Sequence, residues 1–338
     1  KKSFDFLKES REPAMVRADL EAQIAANTHA AIQLQQIGEA ELVLTWMGHL
    51  YDVARASISR LISSLPVGQA EDMIDGVPLV LVIRREQGSL HVDYEGTGGP
   101  HSGNLNAPPA VVRASVLYAL RTLLEQPIPL NEGALADVHF HIPSPSILSP
   151  PPGAAVVGGN VETSQRLVDL FFRAVGARAS SQGTMNNLTF GNSRHQYYET
   201  VCGGAGAGPG YDGTSAIHTN MTNTRLTDPE ILEWRHPVVL EDFRVRRGSG
   251  GRGEFTGGDG TVRRIRFLEE MEVVMLSNHR VVPPYGMAGG DPGELGRNWV
   301  ERADGTHDEM TGCDKRSVQP GDVFVLQTPT GGGYGTPK

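Results

Sequence analysis

The sequence predicts an α+β fold, with a helix-rich N-terminal half followed by a Gly-rich, mostly antiparallel β half. Apolar residues recur at three- and four-residue steps through most of the first 178 positions, which is typical of amphipathic helices. After residue 180, short alternating runs lie between Gly, Pro and Asn turns. The 41 glycines among 338 residues exceed the usual share of about 7% and crowd into this second half. We therefore divide the chain into 1–178 and 179–338.

The first half contains four helical patterns and one hairpin. VRADLEAQIAANTHAAIQLQQI and ELVLTWMGHLYDVARASISRLISSL form a helical stretch from Glu12 to about Leu65, which Pro66 stops. Two alternating runs around a Gly-containing turn predict a β-hairpin over 78–95. VVRASVLYALRTLLE is a third helix, HFHI a short strand, and ETSQRLVDLFFRAVG a fourth helix.

In the second half, DFRVRR, TVRRIRFLEE, MEVVMLSNHR and DVFVLQT predict strands. One short helix interrupts them at TDPEILEWRHP. Asp228 suits the N-cap, Pro229 the first helical position, and Pro237 ends the run.

Composition excludes several classes of protein. The net charge of −9 and pI near 5.7 oppose a nucleic-acid scaffold, which usually has a basic face. Two cysteines provide neither a disulfide framework nor zinc spacing, so we expect a reducing, cytoplasmic compartment. The sequence shows no transmembrane run or signal peptide. It starts without Met and moves directly into a helix, which reads as the interior of a longer protein.

GSGGRG (248–253) matches the G-x-G-x-x-G pattern of dinucleotide sites and follows a predicted strand. However, EFTGGDG follows it, and that sequence does not open a helix whose N-terminus would hold a pyrophosphate. We therefore predict a turn without helix over 246–260. The chain contains no P-loop motif.

Two further patterns allow chemistry but also have ordinary structural readings. His139 and His141 share one face of a predicted strand. They are either two metal ligands or two half-exposed histidines without a ligand. YYETVCGGAGAGPG places Glu199 and Cys202 beside glycines that form either an oxyanion hole or a plain turn-rich loop. Cys202 as a nucleophile lacks an assignable partner His.

The run HTNMTNT (218–224) carries a side-chain hydrogen-bonding group at almost every position. If it is a strand, His218, Asn220, Thr222 and Thr224 lie on one face about 7 Å apart. Such a row is costly to bury without partners, so it faces water or meets a polar ligand. TMNNLTFGN and GNLNAP are also rich in Asn. Their amides either contact a ligand or form ordinary Asx turns.

An ordered series of segments resembles the hydantoinase B/oxoprolinase family, most closely its oxoprolinase branch. The segments are VVGGNVETSQR, GTMNNLTFGN, YYETVCGGAGAGP, HTNMTNTRLTDPEILE, RRGSGGRGEFTGGDG and PGDVFVLQTPTGGGYG. The chain departs from the family in lacking the upstream stretch with its HADIGG-like metal-ligand region. TPTGGGYG also replaces the commoner TPGGGGYG.

The resemblance implies ATP-dependent opening of a cyclic amide, with 5-oxo-L-proline converted to L-glutamate in glutathione metabolism. It implies that ATP and Mg²⁺ are bound by a hydantoinase A-type ATPase subunit or domain, that the upstream region holds any divalent metal, and that the enzyme is an oligomer. Two alternatives stay open. One is the B subunit of an N-methylhydantoinase or ketone carboxylase; the other is a non-catalytic scaffold that assembles with the ATPase.

Residue roles are assigned by chemistry, since the resemblance does not supply them. His218 is the candidate base, assisted by Glu199. We expect His218 and Asn220 to be largely buried and hydrogen-bonded to YYET or TMNNL. Arg225 is the candidate carboxylate anchor, and the Gly203 and Gly204 amides stabilise developing charge. The candidate substrate-binding residues are Asn160, Asn186, Gly203, Gly204, Asn220, Asn223 and Arg225.

Overall fold

The computed structural model describes Leu7 and residues 13–337. This part of the chain contains five α-helices and thirteen strands. The helices are α1 Pro13–Ile37, α2 Ala40–Ser64, α3 Pro109–Thr122, α4 Ser164–Ala174 and α5 Pro229–Arg235. The strands are β1 Gly68–Ile74, β2 Val77–Glu86, β3 Ser89–Asp93, β4 Val138–His141, β5 Asn187–Gly191, β6 Gln196–Thr200, β7 Val238–Val245, β8 Thr261–Phe267, β9 Met271–Leu276, β10 Arg297–Glu301, β11 His307–Met310, β12 Cys313–Val318 and β13 Val323–Gln327. The predicted α+β class, with helices mainly N-terminal and strands C-terminal, is confirmed.

The chain forms two compact units. The smaller takes the described part of Lys1–Ser57 together with Ile128–Ala136, and the larger takes Ile58–Pro127 and Asp137–Lys338. The boundary predicted at residue 178 lies inside the larger unit. The predicted helix start at Glu12 lies outside the described residues, and α1 begins at Pro13.

In the smaller unit, α1 is rich in Ala, Gln and other residues that favour helix, but none of its side chains is buried. Exposed apolar residues continue along the first half of α2. The larger ones in these two helices are Met15, Ile24, Ile32, Leu34, Ile37, Leu42, Leu44, Trp46, Met47, Leu50, Tyr51 and Val53. No described helix is long and apolar enough to cross a membrane.

The first sheet of the larger unit has the order β1-β2-β3-β4. Turns at Asp75–Gly76 and Gln87–Gly88 have positive φ at both residues, as tight antiparallel hairpins require. The hairpin predicted over 78–95 is confirmed as β2 and β3, whereas β1 was missed. Strand β4 pairs with β3 in parallel, and α4 packs against β1 and β2.

The other two sheets of the larger unit are antiparallel, with the orders β11-β10-β13-β8-β7 and β12-β9-β5-β6. Alternate side chains from both sheets meet in one hydrophobic core, as expected for packed antiparallel sheets. This core contains Leu188, Phe190, Tyr197, Val238, Ile265, Phe267, Met271, Val273, Met275, Val300, Met310, Val318, Phe324 and Leu326.

Glycine segments lie against one another where strands and loops cross beside these sheets. A Cβ at Gly204 would lie 1.9 Å from the carbonyl oxygen of Gly258, and one at Gly331 would lie 1.8 Å from that of Ala205. No side chain fits in such a contact. The glycines at 203–210, 257–260 and 331–333 therefore bring backbone directly against backbone.

Two local predictions in the second half are confirmed. Helix α5 has Asp228 as its N-cap, whose carboxylate accepts a hydrogen bond from the Glu230 amide at 2.9 Å. The segment 246–260 contains no helix. Its GSGGRG run is a turn between β7 and β8.

Candidate active site

Helix α4 and the turn before it carry polar side chains into the interior of the larger unit. Glu162, Gln165, Arg166 and Asp169 follow steps of three, one and three residues, so they lie on one face of the helix. All four are at most 3% exposed. Burial of charged groups is costly unless they are paired, so their partners define the interior networks.

The first network centres on Arg166. Its guanidinium forms an ion pair with Asp72, with Nε 2.8 Å from Oδ2, and it also contacts the ring of His279. The His279 ring lies 2.6 Å from the Val282 carbonyl oxygen through Nδ1. Burial, and then the charge of Arg166, lower the pKa of His279 well below its ordinary value, so the ring is neutral. This network joins α4 to β1 and to the segment after β9.

The second network centres on Asp169. Its carboxylate accepts hydrogen bonds from Ser180 Oγ at 3.1 Å and from Asn220 Nδ2 at 3.0 Å. Burial raises the pKa of Asp169, and the nearby Arg178 opposes that rise. Asp169 therefore fixes Asn220, which lies in the HTNMTNT segment, against helix α4.

A pocket of about 220 Å³ lies beside this second network. Its walls combine an arginine, a histidine and an asparagine with glycine backbone and two tyrosines, which suits a small polar ligand. The lining residues are Tyr118, Arg178, Ala205, Gly206, Tyr211, Asp212, Gly213, Thr214, Ile217, His218, Thr219 and Asn220.

His218 is half-buried in the wall of this pocket. Its Nδ1 atom is buried and has no hydrogen-bond partner among the described residues. Burial lowers the pKa of His218, so the imidazole is neutral at pH 7 and able to accept a proton. The Oγ1 atom of Thr219 and Nε of Arg178 are likewise buried without partners in the described part of the chain. Unsatisfied groups of this kind are unusual in a folded protein and indicate a ligand or water site.

HTNMTNT is not a strand, so the single-face row of side chains that a strand would give does not form. Asn220 has a φ of +50°, in the left-handed region, and the Thr222 amide donates to the Thr219 carbonyl at 3.1 Å, which closes a turn. Burial of Asn220 is confirmed at 7% exposed, whereas His218 is only half-buried. The predicted partners in YYET and TMNNL are also wrong, because Asn220 contacts Arg178 and Asp169 instead.

Glu199 is engaged elsewhere. Its carboxylate accepts bonds from Arg263 Nε at 2.6 Å and Nη2 at 3.0 Å, and from the Tyr197 hydroxyl at 2.8 Å. No hydrogen bond between Glu199 and His218 occurs in the described structure. Assistance to His218 therefore has no contact to support it here.

The Gly203 and Gly204 amides donate to the carbonyls of Ile217 and Pro329, respectively. In this conformation neither amide is free to stabilise an oxyanion, contrary to the predicted role. Asn186 is fully buried and bonded to Gln182, Val201 and Arg280.

The remaining predicted substrate contacts lie on the surface. Asn160, Asn223 and Arg225 are exposed, and none of them lines the His218 pocket. Their substrate contacts stay predictions.

Burial raises the pKa of the Cys202 thiol, which opposes a nucleophilic thiolate at neutral pH.

His139 stacks on His91 with ring centroids 5.0 Å apart, while Nδ1 of His141 lies 2.8 Å from Oδ1 of Asp93. Within the described residues, no group of three or more His, Cys, Asp or Glu side chains is arranged to hold a metal.

The amides of the GSGGRG turn already hold an anion from the chain itself. The Ser249 and Gly250 amides each donate to Asp259 Oδ1 at 2.9 Å, and the Gly248 amide donates to Oδ2 at 3.2 Å. Such an amide nest binds phosphate in other proteins. Here the Asp259 carboxylate fills it, so this turn does not fit a nucleotide phosphate.

Sequence reasoning missed Arg178 and Asp169, which position Asn220. Arg178 also lines the pocket. The available indication was the polar spacing on α4, because a helix with Glu162, Arg166 and Asp169 on an otherwise apolar surface must bury charge. Arg178 follows α4 in the loop and has no periodic pattern that marks it.

The larger unit therefore combines packed antiparallel sheets with a polar pocket that is lined largely by loop residues. The chain belongs to the hydantoinase B/oxoprolinase family, whose sequence profile matches residues 2–337.

Named relatives and a solved structure extend this assignment. The chain is 42% identical to the 5-oxoprolinase of Dictyostelium discoideum, over 94% of this chain and 26% of that protein. It is 42% identical to 5-oxoprolinase 1 of Arabidopsis thaliana, over 94% of this chain and 27% of that protein. The fold is similar to the crystal structure of ATP-dependent caprolactamase from Pseudomonas jessenii, with a TM-score of 0.81 and 22% identity over 96% of this chain and 62% of that one. The chain thus spans about a quarter of the length of these two 5-oxoprolinases.

Proposed function

We propose that this chain is the hydantoinase B-type module of an ATP-dependent enzyme that hydrolyses a cyclic amide, with 5-oxo-L-proline as substrate and L-glutamate as product. The similarity to 5-oxoprolinases over 94% of the chain supports the reaction class. The observation that carries the proposal is the pocket in which a neutral His218 lies beside Arg178 and Asn220.

ATP and Mg²⁺ are bound by an A-type ATPase subunit or domain. The sequence has no P-loop, and amides of the GSGGRG turn are occupied by Asp259. An amide resists attack by water, and transfer of the ATP γ-phosphoryl group to the ring carbonyl oxygen makes the ring carbon electrophilic. The net reaction consumes two waters, one for ring opening and one for release of phosphate.

His218 is the base in this proposal. A water oxygen attacks the activated ring carbon while its proton passes to the neutral imidazole. The C–N bond then breaks, and the ring nitrogen takes a proton to become the amine of the product. Asn220 is held by Asp169 and Arg178, so its orientation is fixed before substrate arrives, and pre-organised polar groups stabilise developing charge most effectively.

An ATP-dependent ring-opening assay of the full-length protein tests the proposal. We expect glutamate and ADP to form together from 5-oxo-L-proline. Turnover of N-methylhydantoin or ATP-dependent carboxylation of acetone, without turnover of 5-oxoproline, would favour the alternative subunit assignments. Calorimetry of the isolated chain with Mg-ATP adds a second test, because micromolar affinity contradicts nucleotide binding by a partner module.

A further inference from the structure

Arg178 combines a fixed position with unused hydrogen-bonding capacity. Its side chain is 15% exposed, and its guanidinium lies over the Phe172 ring, 4.3 Å from the centroid. Nη2 donates to Asn220 Oδ1. The stacking and this bond hold the guanidinium plane at the pocket wall without consuming its other donors.

Within the part of the chain that the structure describes, two of the three nitrogens of this guanidinium have no hydrogen-bond partner. Nε is buried without a hydrogen bond, and Nη1 makes none within the described part of the chain. The carboxylate of Asp169 lies 3.9 Å away, which is beyond direct hydrogen-bond length, and its oxygens already accept from Ser180 and Asn220. An unpaired buried donor is costly, and a ligand that pairs it recovers that free energy.

The rest of the pocket favours an anion at the Arg178 end. Glycine backbone and Ala205 line the wall, and Thr219 offers a buried hydroxyl without a partner in the described structure. Among the lining residues, Asp212 is the acidic one. It is exposed, and its Oδ1 accepts from the Thr256 amide at 2.7 Å. The charges of the pocket are therefore separated, with the cation at the buried side and the acid at the exposed side.

We propose that Arg178 is a carboxylate-binding subsite of the His218 pocket, which makes the pocket selective for cyclic amides that carry a carboxylate over neutral lactams. A planar carboxylate matches the fork of a guanidinium and binds it through two hydrogen bonds. The subsite replaces Arg225, which is exposed and outside the pocket. This inference rests on the proposed function for its substrate, but it concerns binding and has its own readout.

The test compares 5-oxo-L-proline with its uncharged carboxamide, which has nearly the same shape. Calorimetry gives the affinity of the full-length protein for each compound in wild type, Arg178→Gln and Arg178→Lys. We expect wild type to prefer the acid by at least about 10-fold, since a lost charged pair costs more than 1.4 kcal/mol. Arg178→Gln should lose that preference, and Arg178→Lys should keep part of it, because Lys retains the charge without the fork.

Arg173→Gln is the matched control. Arg173 lies in the last turn of α4. Its guanidinium stacks on the Tyr285 ring at 4.8 Å and donates to the Glu71 carbonyl, so the variant removes the same charge and a similar ring contact outside the pocket. It should keep the wild-type preference for the acid. An equal preference in Arg178→Gln and Arg173→Gln would overturn the subsite.

A second measurement needs no variant and so remains decisive if Arg178→Gln does not fold. Phenylglyoxal modifies accessible arginines, and mass spectrometry gives the rate at each one. We expect 5-oxo-L-proline, but not 2-pyrrolidinone, to slow modification of Arg178 while leaving Arg173 unchanged. Absence of protection contradicts the subsite even where the ring-opening assay succeeds. Protection without turnover of any cyclic amide supports the subsite and contradicts the proposed function.

Discussion

Two places in the larger unit, each with an arginine beside an acidic side chain, differ in how fully the charged groups are paired. Arg263 and Glu199 connect neighbouring sheets, and both side chains are at most 2% exposed. Arg263 donates twice to the Glu199 carboxylate, and the Tyr197 hydroxyl donates once more. Both oxygens of the Glu199 carboxylate and two nitrogens of Arg263 are therefore paired within the protein.

Arg178 and Asp169 form the second place, and there the arrangement is incomplete. Their closest charged atoms are 3.9 Å apart, Nε of Arg178 has no partner in the described structure, and the same holds for Nδ1 of the neighbouring His218. The comparison teaches that the proposed site differs from a structural ion pair in its unused hydrogen-bonding groups around a pocket. The presence of charged residues alone does not mark it.

Glu199→Gln should give the largest change in stability. Removing one charge leaves Arg263 buried and unpaired, which typically costs about 3–5 kcal/mol. Denaturant unfolding measures the loss of free energy. The double variant Glu199→Gln/Arg263→Met should recover most of it, because no uncompensated charge remains. A stable single variant with greatly reduced turnover would instead return Glu199 to the catalytic role that the sequence suggested.

His218→Ala should lower kcat of the full-length protein by about 100-fold, because a general base contributes about 10²–10⁴ to the rate. Its free energy of unfolding should change little, since Nδ1 of His218 has no hydrogen bond to lose. Steady-state kinetics and thermal unfolding measure the two effects.

His236→Ala is the control for this prediction. Nδ1 of His236 is also buried without a partner in the described chain, and burial also lowers its pKa. However, His236 packs on Tyr197 and Phe190 and does not line the pocket. It should retain wild-type turnover. Equal losses in both variants would show that the pocket is not the catalytic centre.

Sequence pattern was sufficient to predict most of the fold, because the spacing of apolar residues shows which face of a helix or strand is buried. The hairpin of β2 and β3, the helix α5 with its Asp228 cap and the turn at GSGGRG each depend on residues close in sequence. Strand β12 was missed, because its CDKRSV sequence is polar and forms a strand only through its pairing with β9. A pairing of that kind is set by tertiary context rather than by local propensity.

The site was less predictable than the fold. HTNMTNT was correctly chosen as a segment that lines a pocket, because a polar row must meet water or a ligand. The conformation of this segment could not be predicted, since the left-handed φ of Asn220 is stabilised by Asp169, 51 residues earlier in the chain. Arg178 was missed for the same reason: its importance comes from distant partners and from the bonds that it does not make.

Glu162→Gln tests a third buried carboxyl. Glu162 resembles Glu199 in accepting hydrogen bonds, but it forms no direct ion pair among the described residues. Burial raises the pKa of Glu162 to about 7 from an ordinary 4.5. Between these values the folded state keeps a proton that the unfolded state releases, so stability falls as pH rises from 4.5 to 7. The variant should lose this contribution, which is at most about 1.4 kcal/mol per pH unit.

Unfolding free energies across this pH window, compared between wild type and variant, isolate the effect from other titrating groups. Glu269→Gln is the control, because Glu269 is a partly exposed carboxylate paired with Arg194. This variant removes one carboxylate outside the Glu162 network and provides the reference curve. Parallel curves for wild type and Glu162→Gln would show that Glu162 is ionised in the folded protein.

Asp259→Ala should have the smallest effect and tests whether a closed site becomes an open one. The carboxylate accepts from three amides of the GSGGRG turn, but it is only half-buried, so water replaces much of what is lost. We expect a loss of about 1 kcal/mol in denaturant unfolding. The vacated amide nest then resembles those that bind phosphate, so millimolar inorganic phosphate should restore stability to the variant more than to wild type. An equal response to phosphate in both proteins would show that the nest collapses without its carboxylate. In that case unused donors would persist in this fold only where a rigid wall, such as the one around Arg178, keeps them apart.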